Sequence, residues 1–185
     1  MMRRIQVTLN DREFEVVARN AVLLLFALTA LDDPTAEEAT MFGVAESLIH
    51  LWYSALIPAR LQSQLQSRIK PLVAEVGRRI ASKTPGARLG KTWRFGPGRT
   101  LRLVFTKEEW LKLEKLLETS EQLTRDEATN IRTAVTLAPE RADYRDRWYF
   151  KDATPPMRIA KQRFREDGLL LPFGHPRIGF DTPNP

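Results

Sequence analysis

Two stretches of the chain interleave arginine with aromatic rings. One holds Lys91, Trp93, Arg94, Phe95, Arg99 and Arg102, the other Arg141, Tyr144, Arg145, Arg147, Trp148 and Tyr149. Bases stack on rings while guanidinium groups meet phosphates, so such interleaving suits a single strand of nucleic acid. On that reading Arg94, Arg99, Arg102, Arg145 and Arg147 are the contacts. The competing reading turns Trp93 and Trp148 into the core and the arginines outward. Period-two alternation favours it on the first stretch, where Trp93 and Phe95 share a face opposite Arg94.

A second candidate is the acidic turn at Asn10 and Asp11, which follows IQVTL and precedes a long helical pattern. In doubly wound nucleotide-binding folds an acidic residue after a strand bonds the ribose hydroxyls. A glycine-rich turn should come before it to hold the phosphates, and only residues 1–4 stand ahead of this strand. Capping of the helix explains Asn10 or Asp11 without any ligand, because a short oxygen-bearing side chain accepts an orphan backbone N–H. The cap is the preferred reading.

Other chemistry has little to work with. General acid–base catalysis needs two carboxylates held in a pocket that perturbs them, whereas Glu108, Glu109, Asp143 and Asp146 fall on polar helical faces. No nucleophile elbow or zinc-protease helix motif occurs. His50 and His175 are the only histidines, and there is no cysteine. Thiolate zinc sites, disulfide scaffolds and cysteine nucleophiles are thus excluded. His50, set among apolar neighbours, reads as a packed and hydrogen-bonded residue. No catalytic residue, metal or cofactor is expected. The GPG at residues 96–98 lacks the lysine and hydroxyl of a phosphate-binding loop and reads as a turn.

The elements that position these residues follow from periodicity. Residues 1–30 form a strand–turn–helix unit, with Ile5, Val7 and Leu9 alternating before a helix that is apolar nearly all round from Ala21 to Leu28. Residues 41–82 are helical, with Met41, Ala45, Leu48, Trp52 and Leu56 on one face and Leu61, Leu65, Ile69, Leu72, Val76 and Ile80 on the next. Pro71 predicts a kink or break near Lys70. Residues 91–106 read as a β-hairpin. Across 107–168 come helices: capping boxes at Thr106/Glu109 and Thr124/Glu127, a short charged helix through PERADYRDRWYF, and a last helix that Gly168 stops. In 169–185, LLLPF reads as a short strand and DTPNP as irregular tail.

The formal net charge is +6, with bases and acids interleaved along the helices. That pattern describes a solvated surface more than a nucleic-acid footprint. The longest apolar run is far below the ~20 residues of a membrane span, so the chain reads as soluble, and the absence of cysteine is compatible with an intracellular, cytoplasmic or nuclear, place.

The segments LNDREFEVVARNAVLLL, HLWYSALIP, KTWRFG, TLRLVFTKEEW, IRTAVTLAPERADYRDR and FREDGLLLPFG span almost the whole chain. Together they resemble a fungal family of domains of unknown function, family 4470. The family commonly accompanies a MYND-type zinc finger and is related to the N-terminal domain of a dynein axonemal assembly factor. The resemblance implies a Rossmann-like, methyltransferase-like sheet, with Asn10 and Asp11 on a vestigial cofactor-binding, ribose edge. This sequence lacks both the glycine-rich turn and the cysteines of a finger.

The expected fold is a helix-rich α+β form of the α/β class, a single domain over 1–185. It combines a partial Rossmann or methyltransferase-like sheet with a β-hairpin and about six to seven helices. The leading functional reading is a non-enzymatic protein-interaction or scaffold domain, a methyltransferase-like remnant or fragment, with a protein partner or a homodimer. One alternative is an S-adenosylmethionine-dependent methyltransferase-like domain, incomplete as given. The other is a basic nucleic-acid-binding module.

Overall fold

A computed structural model describes residues 5–32, 41–118, 123–142 and 147–185. The apolar run from Ala21 forms the second half of helix α1, Phe14–Ala30, which buries Ala18, Ala21, Val22, Leu23, Leu25 and Phe26. The cap expected of Asn10 or Asp11 does not form: the N-cap residue of α1 is Glu13, without a side-chain cap, and Asp11 Oδ1 accepts only the Glu13 backbone N–H, at 2.9 Å. Residues 5–9 ahead of it are not a strand. Ile5 and Val7 are 84% and 73% exposed, and the segment joins no ladder. Alternation makes a segment fit to pleat, but a strand also needs a neighbour for its backbone groups, and among the described residues none pairs with it.

Helix α2, Met41–Tyr53, leads into the three-residue strand β1, Leu56–Pro58. A single rod follows, from α3 (Ala59–Gln64) through a π turn (Leu65–Ile69) into α4 (Lys70–Ala81). The interruption expected near Lys70 appears as this change of helix type. Pro71 has no N–H to offer the carbonyl four residues back and its ring crowds that carbonyl, and the widened turn accommodates both problems. Leu61, Leu65, Ile69, Val73, Val76 and Ile80 are buried along the rod.

Strands β2 (Arg88–Phe95) and β3 (Arg99–Thr106) form the hairpin, in a register that sets Arg94 opposite Thr100 and Arg88 opposite Thr106. Trp93, Phe95, Leu103 and Phe105 point inward. They meet Trp110 of α5, Lys107–Leu116, whose indole N–H donates to the Leu89 carbonyl at 3.0 Å. Both capping boxes form, at Thr106/Glu109 on α5 and at Thr124/Glu127 on α6, Arg125–Thr136. After a 3-10 turn over Pro139–Arg141 comes helix α7, Pro155–Asp167, ended by Gly168 at φ 73°. Of the charged helix expected through PERADYRDRWYF, that turn forms at its start, Ala142 and residues 147–148 are also helical, and residues 143–146 lie outside the described residues.

The C-terminal expectation is reversed. LLLPF is not a strand; the tail that reads as irregular supplies β4, Phe180–Pro183, antiparallel to β1. Two buried clusters result. The larger joins α1, the α3–α4 rod, the inner hairpin face and α5. The smaller gathers Leu56, Ala128, Leu169, Leu171 and Phe180. The architecture is helix-rich α+β. Among the described residues both sheets are antiparallel pairs, β1–β4 and β2–β3, and no parallel pair occurs.

Candidate interaction surfaces

Helix α2 carries a single acidic residue, Glu46, and no lysine or arginine. Two of its flanks are apolar, and among the described residues only one packs against other elements. Val44, Ser47, His50 and Leu51 are buried, against α1 and β1. The stripe expected to face the core does so only in part: Leu56 is buried and Leu48 packs half-buried against the core, whereas Met41 is 80% exposed and Ala45 and Trp52 are exposed as well. Phe42, Ile49 and Tyr53 join them at the surface, and the Trp52 and Tyr53 rings stack with centroids 5.3 Å apart. The inward face is offset from the expected one because α1 approaches the flank bearing Val44 and Leu51. Singly exposed apolar side chains are ordinary, whereas a contiguous set on one helix face is not.

The buried flank ends in a polar knot. His50 Nδ1 lies 2.9 Å from Ser54 Oγ, the Leu170 backbone N–H donates to the same oxygen, and the imidazole leans on Phe180. His50 is thus packed and hydrogen-bonded, as its neighbours suggest. Burial holds it below the ordinary histidine value of 6.5, with Glu46 pulling the other way and His175 and Arg60 adding to the depression. Asn184 closes the knot: its Nδ2 donates to the carbonyls of His50, Leu51 and Ser54 at 2.7–3.1 Å, at and just beyond the end of α2, where the His50 carbonyl also accepts the Ser54 N–H. Glu46, His50 and Ser54 are spaced four residues apart, like the parts of a hydrolytic triad. The Glu46–His50 separation is 3.9 Å and the hydroxyl is buried, so the line has the geometry of a helix end.

The other candidates fall apart into separate places. Asp11 is exposed and engaged at the start of α1, with Asn10 exposed beside it. A narrow cleft with room for about one water lies elsewhere, between Arg19, Val22, Leu23, Leu51, Leu116, Asn184 and Pro185. Glu109 is tied into its capping box, and the Glu108 carboxylate accepts from the Gly86 N–H. Its own backbone N–H and that of Gly86 hold Glu108 below the usual carboxylate range. Among the described residues no three metal-capable side chains converge, and no helix is long and apolar enough to cross a membrane.

The arginine–aromatic stretches also separate. Arg94 and Arg102 share the outward hairpin face. Arg99 does not: it bonds the Phe95 and Leu31 carbonyls and sits 3.6 Å from Asp32, strapping the turn to the end of α1. Lys91 pairs with Glu75 at 2.7 Å. The missed member is Arg88, six residues before Arg94 and so on the same face. Strand parity could have found it once β2 was taken to begin before Lys91. In the second stretch Arg147 and Trp148 are exposed, Lys151 lies over Trp148, and Tyr149 faces Lys161 and Arg165 of α7. Arg145 and Tyr144 fall outside the described residues.

No curated protein and no solved structure matches this chain. Residues 1–57, which cover α1, α2 and the start of β1, are similar to a domain of unknown function (DUF4470), a shorter stretch than the resemblance read along the sequence.

Proposed function

We propose that this chain is a non-enzymatic interaction domain whose α2 docks the apolar face of a helix from a partner protein. The observation that carries the reading is the outward stripe of Met41, Ala45, Ile49 and Trp52, spaced as one ridge of a helix, flanked by Phe42 and Tyr53. Ridges of this kind pack into the groove of another helix. Aromatic side chains near the centre of such a face commonly dominate binding. The stripe lies within the residues similar to the domain of unknown function, which sets it in the part of the chain with recognisable kinship.

The test is a doubly substituted protein, Ile49→Asp with Trp52→Asp, whose melting temperature should stay near that of the native chain because both sites are exposed. A protein recovered with the native chain is purified and titrated against both forms by calorimetry. Loss of at least roughly tenfold in affinity for the variant supports the reading. Equal affinity for both forms overturns it, as does sedimentation showing that the native chain covers this face with a second copy of itself. Methyl transfer from S-adenosylmethionine by the native chain would end the non-enzymatic part.

A further inference from the structure

The hairpin offers a second surface, independent of α2. The Lys107 N–H donates to the Ala87 carbonyl at 2.8 Å just beyond the paired residues. That bond fixes the parity of the ladder: residues 89, 91, 93 and 95 exchange backbone bonds with β3, and the polar groups of 88, 90, 92 and 94 point to the outer edge of β2. Among the described residues no strand pairs with that edge. The same four residues, Arg88, Gly90, Thr92 and Arg94, present their side chains on the outward face beside Thr100, Arg102 and Val104. The face carries three arginines and no acid, and among the described residues Arg88, Arg94 and Arg102 make no ion pair.

Gly90 shapes the middle of this face. A Cβ there would stand 2.8 Å from Arg102 Nη2, so the missing side chain lets the Arg102 guanidinium reach from β3 across β2. Three cations thereby line one strand, Arg88 and Arg94 at its ends about 20 Å apart at ~3.4 Å per residue, and Arg102 between. The hairpin's rings, Trp93 and Phe95, point into the core, so the face offers no platform on which a base could stack. Threonine, valine and glycine separate the arginines, and such a surface suits another strand.

We propose that the outer edge of β2 receives an extended acidic segment of a partner protein as a third strand, its alternate carboxylates pairing with Arg88, Arg102 and Arg94. Main-chain bonds supply the adhesion and the cations select the sequence. The same cations repel a second copy of this hairpin, which keeps the edge from pairing with itself.

The experiment uses the whole chain and a synthetic peptide as long as β2 that alternates glutamate with threonine. Binding is followed by calorimetry and by hydrogen exchange. The peptide should bind, protect the amides of residues 88, 90, 92 and 94, and lose binding when its own edge amides are N-methylated. Replacing Arg88→Glu, Arg94→Glu and Arg102→Glu together should weaken it roughly tenfold or more, and a lysine–threonine peptide should bind that variant instead. The circular dichroism and melting temperature of the variant check that the exposed substitutions leave the fold intact. Tighter binding of oligouridylate at the same arginines overturns the proposal in favour of a nucleic-acid site. Failure of the glutamate peptide to bind also overturns it, and the arginines then only guard the edge.

Discussion

Helices α1 and α2 are built from nearly the same apolar material and meet opposite fates. In α1 Leu25 and Phe26 are closed over by the α3–α4 rod and the hairpin, whereas in α2 Met41, Phe42 and Trp52 face solvent. Burial is therefore decided by how many neighbours the fold delivers to each helix. α1 is approached by α2, the rod and β3; α2 meets α1 on one flank and β1 at its end. The apolar side that stays exposed among the described residues is the surface on which the functional reading stands.

The contrast is sharpest under truncation. Leu25→Ala should destabilise the chain by about 2–5 kcal/mol in urea denaturation, since it leaves a cavity among side chains that cannot close up. A cost below that range would mean that α1 is less enclosed than α2's inward flank. Removal of the tail amide comes next. Asn184→Ala removes a donor shared by the carbonyls of His50, Leu51 and Ser54, of which His50 keeps the Ser54 N–H, and should cost about 1–3 kcal/mol, with faster amide exchange over the last turn of α2. An unchanged exchange rate there would show that solvent satisfies the helix end equally well.

The third effect is a dependence on pH. Because His50 titrates below 6.5 in the folded chain, the unfolded chain binds the proton first as pH falls. Stability should be complete above about 6.5 and decline through the window below it, until the folded form titrates as well. His50→Asn should flatten that decline in denaturation curves taken at pH 7.5 and 5, and a slope that survives the substitution would place its origin elsewhere. The smallest effect is expected on the exposed flank. Trp52→Ala should stay within about 0.5 kcal/mol of the native chain. A loss comparable to that of Leu25→Ala would erase the distinction between the two helices.

Local signals in the sequence translated directly where the interaction they describe is local. The capping boxes at Thr106 and Thr124 and the glycine stop at Gly168 each need only three or four consecutive residues, and all three form. The hairpin alternation also holds, because its two strands are joined by a short turn. The failures share one cause. Residues 5–9 have a strand's pattern and, among the described residues, no pairing strand, while the tail at 180–183 lacks the pattern and is paired with β1, a segment more than a hundred residues earlier. The candidate cations show the same limit: parity gives Arg94 its face, but that Arg99 is tied to Asp32 and Arg102 lies across Gly90 depends on contacts between elements.

The sequence by itself settled what each short stretch can be: helix, turn, capped start, two-faced strand. It also set the chemistry available, with no thiol and two histidines. The tertiary structure decided which apolar face is covered and which strand has a partner, and it gave the last residues the task of closing α2. The physical reason is range. Caps and turns are fixed by dihedral angles and hydrogen bonds within a few residues, whereas burial and strand pairing depend on which distant segments the core draws alongside.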